Sequence, residues 1–239
     1  MAITYTFNPF TSNFDAINSG GATPVAPTVQ RFTSGSGTYT TPAGALYIVI
    51  ECVGSGGSGG GSGTAAGAGA NGDSTTFGTS FIDAGGGVAG MLSGFGGTGG
   101  TTAITLANGG GSGAILISLE GNGGETSIGS GSEPSGAGGH CGGAGPFGGA
   151  GRSSMFAAAT NSLANSGSGG PGAGLGVVAA LGTGSGGGAG GYCKVLEPTP
   201  LATYAYAVGA AKTGGAAGTS GYSGGNSGSG IIIVTEYYQ

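Results

Sequence analysis

Charged side chains are scarce in this chain. Lysine and arginine contribute 4 of the 239 residues and aspartate and glutamate 9, so charged residues make up 5% of the sequence, against about 25% in ordinary globular proteins. Four scattered cations, at Arg31, Arg152, Lys194 and Lys212, provide no basic patch for a phosphate backbone. Nucleic acid is therefore not an expected partner.

Long apolar runs and a secretory signal are also lacking. No run approaches the ~18 residues that a membrane span needs, so membrane insertion is not expected. The opening MAITYTFNPF has neither a basic flank nor an apolar core, which predicts folding in the cytoplasm of the cell that makes the protein. The odd set of Cys52, Cys141 and Cys193 predicts three small buried thiols rather than a disulfide framework.

Glycine, in contrast, supplies 65 of the 239 residues. Such a composition without a fixed period is typical of disordered chains. Disordered chains are poor in aliphatic residues and rich in net charge, whereas this one is 37% hydrophobic with a net charge of −5. We therefore expect a compact, mostly β, sandwich-like body with almost no α-helix.

Strongly β-forming segments interrupt the glycine tracts. In residues 45–53, Leu46, Ile48, Ile50 and Cys52 alternate with a second, mostly apolar face, which predicts a strand covered on most of both sides. Phe32 and Tyr39 flank a turn-rich stretch and suggest a hairpin or a strand edge. Residues 155–164 could form at most a short, marginal helix. Further strands are predicted at 74–77, 80–83, 114–120, 126–128, 192–196, 203–208 and 231–238.

The glycine tracts between these strands can themselves be ordered. They lie at residues 54–72, 85–100, 109–113, 136–151, 167–176, 182–191 and 214–230. A glycine chain can adopt the threefold, extended polyproline II geometry, which has no internal hydrogen bonds. Because its N–H and C=O groups then point outward, neighbouring tracts can bond to one another. We predict a lattice of packed polyglycine II helices.

The segments between tracts would become loops at the edges of this lattice. They are residues 91–95, 101–107, 133–134, 146–147 and 152–165. Varied loops on a rigid scaffold are a common form of recognition surface. Apolar residues with low side-chain entropy make good contact sites, and the candidates are Met91, Leu92, Phe95, Phe147, Met155 and Phe156.

The N-terminal part differs from the rest. Residues 1–21 hold Tyr5, Phe7, Phe10 and Phe14, too much aromatic area for so short a segment to bury alone. A proline-containing connector follows and ends at residue 29. The sequence thus divides into an attachment segment with its linker, 1–29, and a glycine-rich body, 30–239.

Residues 32–61 carry the pattern F-x-x-G-x-G-x-Y-x-x-P-x-G, followed by an aliphatic strand that opens into glycine repeats. The end of the chain, Gly228-Ser229-Gly230 before a second aliphatic strand, fits the same pattern. Residues 30–239 resemble the glycine-rich domains of phage tail fibres and tail-tip adhesins. The segment 5–17 resembles, more weakly, short N-terminal segments of virion structural proteins.

The resemblance implies a virion protein, in the tail fibre or tail tip, whose loops recognise a bacterial surface protein or polysaccharide. It implies that Tyr5, Phe7, Phe10 and Phe14 fasten the module to other tail or fibre proteins, and it favours a homotrimer over a monomer. The chain departs from the best-known tip adhesins, which sit on a separate trimeric fibre, because it has its own aromatic N-terminus.

Motifs for catalysis or cofactors are matched only by chance. Gly54, Gly56 and Gly59 fit a dinucleotide fingerprint, but no amphipathic helix follows them. The Gly-x-Ser-x-Gly match at 56–60 lacks a strand-to-helix turn and a histidine partner. His140 and Cys141 are adjacent, and no spacing matches a zinc motif. We expect no enzyme, no cofactor and no metal, and the dispersed carboxylates are adequately explained as solvated loop charges.

Two rival functions remain open. The chain could be a purely structural spike or decoration of the particle, without receptor contact. It could also be an ice-binding glycine-rich bundle, although that class favours a regular three-residue repeat with a flat face rich in threonine or alanine.

Overall fold

The computed structural model describes the strand backbones of residues 4–8 and 13–17, and residues 25–92, 94–127, 139–175 and 182–238. Phe10 and residues 128–138, which include the expected loop at 133–134, lie outside the described residues.

Two antiparallel five-stranded sheets confirm the mostly β prediction. The first has the order β3 (Thr28–Phe32), β12 (Ile231–Tyr237), β5 (Tyr47–Val53), β10 (Tyr192–Glu197), β9 (Ala114–Leu119). The second has the order β4 (Ser36–Thr40), β11 (Thr203–Ala207), β6 (Thr75–Phe77), β7 (Ile82–Ala84), β8 (Thr102–Ile104). Separately, β1 (Thr4–Asn8) pairs with β2 (Asn13–Ile17). Body strand β3 begins at Thr28, two residues before position 30.

The core lies between the two sheets. Alternate residues of β5, Ile48, Ile50 and Cys52, are fully buried against residues of the second sheet. There Phe77 and Tyr204 stack with their ring centroids 4.8 Å apart. This alternation is the signature of a strand with one face on a core, and the opposite face of β5 is partly buried, as the sequence predicted.

Several local predictions were wrong. Leu46 precedes β5 and is 56% exposed. For Phe32 and Tyr39 the hairpin was wrong but the alternative, a strand edge, is confirmed, because β3 and β4 are edge strands of different sheets. Thr126 and Ser127 form no strand, while the expected loop at 101–107 contains β8 and the start of a 3₁₀ turn, Leu106–Asn108. Residues 155–157 form a bend and no helix forms in 155–164, in agreement with the expectation of at most a marginal helix there.

Strands β5 to β12 each continue into a glycine tract at the same end of the sandwich. The tracts run outward after β5, β7, β9 and β11 and return into β6, β8, β10 and β12. Two further tracts lie within the connection between β9 and β10. We call the following set the glycine lattice: residues 54–63, 67–73, 85–91, 97–101, 121–125, 139–145, 166–175, 182–191, 209–218 and 222–230.

Hydrogen bonds in the glycine lattice repeat every three residues. In tract 54–63, every third N–H donates to the same neighbouring tract, at N···O distances of 2.9–3.2 Å. Gly54, Gly57 and Gly60 donate to Gly191, Gly188 and Ser185; Ser55, Ser58 and Gly61 to Asp73, Ala70 and Gly67; and Gly56, Gly59 and Ser62 to Gly228, Gly225 and Tyr222. The backbone of this tract therefore points its donors in three directions.

Its carbonyl groups accept from three more tracts. Ser55 and Ser58 accept from Gly87 and Gly90, Gly57 and Gly60 from Gly170 and Ala173, and Gly59 and Ser62 from Gly215 and Gly218. Tract 54–63 thus has six hydrogen-bonded neighbours, and consecutive neighbours also bond to one another around it. Tract 182–191 is enclosed in the same way, by 54–63, 85–91, 97–101, 121–125, 139–145 and 166–175.

Serine replaces glycine at several buried positions of the lattice. The Ser58 hydroxyl accepts from the Ala70 N–H at 2.8 Å and donates to the Thr213 carbonyl at 2.7 Å. The Ser62 hydroxyl accepts from the Tyr222 N–H and donates to the Gly174 carbonyl. Because a serine hydroxyl can both donate and accept, these side chains form hydrogen bonds with N–H and C=O groups of neighbouring tracts.

Buried tyrosines make the fold sensitive to high pH. Burial is the main cause that raises the pKa of Tyr204, to about 12, and that raises the pKa values of Tyr39 and Tyr192. Unfolded tyrosine ionises near pH 10. The buried, neutral tyrosines therefore contribute fully to the free energy of unfolding below about pH 10, and this contribution is lost as the pH rises toward 12. We expect urea titrations to show a fall in the free energy of unfolding over this interval, and a shallower fall in Tyr204→Phe. A pH-independent free energy would contradict this assignment.

Candidate functional site

The end of the glycine lattice farthest from the sheets, the distal end, carries most of the candidate contact residues. Gly54 bonds to Gly191, which adjoins β10, whereas Gly63 bonds to Gly182 at the other end of the same two tracts. The residues that follow Gly63 and Gly218 turn back at this end, where Thr64 and Thr219 form a bridge. Backbone hydrogen bonds between the tracts therefore hold the residues on either side of the distal turns in place.

Met91 and Leu92 end tract 85–91 at the distal end. The Met91 N–H donates to the Ser185 hydroxyl at 2.7 Å, and the Met91 carbonyl accepts from the Ser185 N–H at 2.8 Å. Leu92 forms an isolated bridge with Gly184 and is partly buried, whereas Met91 is 52% exposed. The structure therefore fixes the backbone of this turn and leaves the Met91 side chain accessible.

Phe95 lies in the same turn and is the most exposed large apolar residue among those described, at 84%. Its carbonyl accepts from the Ser185 hydroxyl at 2.9 Å. A phenylalanine loses apolar stabilisation when its ring is in water. The fixed backbone beneath it leaves the Phe95 ring accessible from solvent.

Met155 and Phe156 occupy a second turn, at 153–158. The Thr160 N–H donates to the Arg152 carbonyl at 2.9 Å, and the Arg152 N–H donates to the Thr160 hydroxyl at 2.7 Å, closing the base of the turn. Ala159 then bonds to Ser223 of the lattice. Met155 is 48% and Phe156 57% exposed. This turn and the Met91–Phe95 turn lie on different sides of tract 54–63.

Phe147 does not join the other candidates. Its ring meets that of Tyr192, the first residue of β10, edge to face with centroids 6.1 Å apart. It therefore lies at the sheet end of the lattice, although it is 46% exposed. Phe147 and Met155 are close in sequence. They are far apart in the structure because the chain between them runs from the sheets toward the distal end.

A small cavity near Phe147 was not indicated by the sequence. It has a volume of about 200 Å³ and is lined by residues that include Leu119, Glu120, Asn122, Pro146 and Tyr192. Ligand pockets usually measure ~300–1,000 Å³. Its walls come from three segments far apart in sequence, so no local pattern could have revealed it.

The cysteines are candidates for reactive residues. Cys52, Cys141 and Cys193 are free thiols, but Cys141 is exposed, which corrects the expectation that all three are buried. Partial burial of the Cys141 thiol and the Glu125 carboxylate both raise its pKa, the opposite of what activates a thiolate. Within the described ranges, no cluster of three or more His, Cys, Asp or Glu side chains could hold a metal ion.

The glycine motifs also take a different role. Gly54, Gly56 and Gly59 bond to three other tracts, and no helix follows them. The phosphate-binding geometry of a dinucleotide site needs that helix. These glycines are part of the lattice instead.

No family model, curated protein or solved structure matches this chain. In the part of the chain that the structure describes, no helix is both long and apolar enough to cross a membrane.

Proposed function

We propose that the protein is a virion component of a bacterial virus, in the tail fibre or tail tip, that recognises a host surface protein or polysaccharide through the distal end of the glycine lattice. The observation that carries the proposal is the exposure of Phe95 directly above a hydrogen-bonded lattice position at Ser185. The resemblance of residues 30–239 to glycine-rich tail adhesins supports the same assignment.

We further propose that the lattice tracts are polyglycine II helices. A hydrogen-bonding period of three residues is the period of that helix. Six bonded neighbours around tract 54–63 are what threefold helices would give when packed side by side. Fixing glycine costs conformational entropy, so the lattice must form cooperatively, and the resulting stiffness suits a platform for contact residues.

The N-terminal segment is proposed to fasten the module to other tail or fibre proteins. Tyr5 and Phe7 belong to β1 and Phe14 to β2. A two-stranded hairpin is marginally stable alone in water. A neighbouring protein that extends or covers this small sheet would stabilise it, in keeping with an attachment role.

Removal of the distal contact residues tests the adhesin function. We expect the double variant Phe95→Ser, Phe156→Ser to adsorb to host cells at least about tenfold more weakly, since two aromatic anchors contribute more than about 1.4 kcal/mol together. Binding of labelled protein to whole cells is the measurement. Leu163→Ser is the matched control, because Leu163 is 65% exposed but bonds to Gly149 away from the distal turns.

Normal adsorption by the folded double variant would remove these two anchors from the site. Absence of any binding by the wild-type protein to host cells would instead favour the purely structural role. We expect both variants to have the wild-type melting temperature, because the substituted side chains are exposed. An unchanged melting temperature is the control for an intact fold.

A specific observation keeps ice binding as the second candidate. In tract 209–218 and the turn after it, Ala210, Thr213, Ala216 and Thr219 are exposed at intervals of three residues. The neighbouring segment exposes Ala65 and Ala68 with the same spacing. This small-residue face is more regular than the sequence indicated. Thermal hysteresis of the purified protein distinguishes this function from the adhesin.

A further inference from the structure

The outer strand of the first sheet, β9, has an open edge. It pairs with β10, and among the described residues no backbone group of β9 bonds to anything outside that ladder. Unpaired N–H and C=O groups along a strand are a template for pairing with another chain. The β9 edge is six residues long, from Ala114 to Leu119.

The side chains of β9 are exposed, and all except that of Ser118 are apolar. All six residues are exposed, including Ile115 at 47%, Leu116 at 50% and Leu119 at 54%. Native proteins protect sheet edges with charges, proline or very short strands. Of the other three edges of the two main sheets, β8 has three residues, β3 contains Arg31, and β4 exposes only glycine, serine and threonine because its one tyrosine is buried, whereas β9 has no charge and exposes aliphatic side chains.

We propose that β9 pairs antiparallel with β9 of a second copy of this chain, across a twofold axis near Leu116 and Ile117. Antiparallel pairing of a strand with itself is the isologous contact of a twofold dimer. It joins the two five-stranded sheets into one continuous sheet. It also lets exposed apolar side chains of both copies pack across the new ladder.

The absence of charge on β9 favours a second copy of this chain as its partner. The chain carries a net charge of −5, so two copies repel wherever carboxylates meet. No residue of β9 is charged, and Glu120 follows its last residue. Antiparallel pairing places the two Glu120 residues at opposite ends of the ladder, roughly 20 Å apart at ~3.4 Å per residue, well beyond a Debye length of about 8 Å.

The mass of the protein in solution tests the pairing. One chain is 21.8 kDa, and we expect light scattering behind a sizing column to give twice this mass for the wild type and the single-chain mass for Ile117→Lys. Phe95→Lys, the same change at a more exposed apolar residue outside the sheets, should keep the doubled mass. A wild-type monomer, or the homotrimer that the resemblance implies, would overturn the proposal.

Cross-linking distinguishes β9 from other surfaces, including the β1–β2 hairpin. Single cysteines are placed at Leu116 and Ile117 in a Cys141→Ser background, which removes the exposed native thiol. Mild oxidation with diamide should give a covalent dimer from at least one of them, and none from Phe95→Cys in the same background. A doubled mass without any cross-link at β9 would assign the interface to another surface and sink the twofold pairing.

Discussion

We expect Gly187→Ala to lower the free energy of unfolding by about 3 kcal/mol or more, the upper range for forcing an extra methyl into a packed interior. A Cβ atom at Gly187 would lie 2.1 Å from the Gly57 carbonyl oxygen. Both residues belong to the two enclosed tracts, and the obstructing atom is backbone, so no side chain can rotate away. Thermal denaturation should show a loss of roughly 10 °C, at ~2–4 °C per kcal/mol for a chain of this size.

Gly123→Ala is the matched control. Gly123 lies in tract 121–125 and is exposed, and an added Cβ would meet only the Gly97 carbonyl oxygen at 3.5 Å, an ordinary contact. We expect a change within about 0.5 kcal/mol. Both variants replace glycine by alanine in a glycine tract, so the backbone preference of alanine is the same in both. Any difference in the free energy of unfolding between them therefore comes from the close backbone approach at Gly187. Equal losses in both variants would show that close approach is not what the lattice requires.

The close backbone approach at Gly187 explains why much of the fold could be predicted. Where backbone approaches backbone, only glycine is accommodated, so the lattice leaves a strong compositional signature in the sequence. The strands could also be predicted, because Ile48, Ile50 and Cys52 recur at every second residue, as in a strand with one face on a core. Both features are local, and local patterns are what a sequence displays.

The pairing of the tracts could not be predicted, because a glycine carries no side chain that indicates its neighbour. Gly57 donates to Gly188 and accepts from Gly170, and nothing in the composition of these tracts favours those partners. The strand connections that bring β5 beside β10 and β12 decide which tracts meet. Buried serines offer a partial signal, since Ser55 and Ser58 recur at the hydrogen-bonding period.

The loops were the least predictable part of the candidate site. Phe147 and Met155 are near each other in sequence, yet Phe147 packs beside Tyr192 at the sheets while Met155 lies on a turn that Thr160 and Arg152 close. Their positions depend on how far the intervening segment travels along the lattice. Such a distance depends on bonds to remote tracts, as between Ala159 and Ser223.

Inserting glycine between Gly187 and Gly188 tests the threefold geometry itself. In tract 182–191, Gly184, Gly187 and Gly190 donate to Ala173, Gly170 and Gly167, while Ser185, Gly188 and Gly191 donate to Met91, Val88 and Gly85. One added residue rotates the part before it by about 120° in a helix with three residues per turn. Each displaced N–H then faces the wrong neighbouring tract, and buried donors without partners cost about 1–3 kcal/mol each.

Three added glycines restore the direction of every N–H, one turn farther along. We therefore expect the three-residue insertion to lower the free energy of unfolding less than the one-residue insertion, measured by urea titration. It retains some cost, because Ser185 leaves its contacts with Met91 and Phe95. Loop lengthening itself changes little, since doubling a loop costs only about 0.6 kcal/mol. If the longer insertion were as harmful as the shorter one, hydrogen bonding in this tract would not depend on a threefold helix.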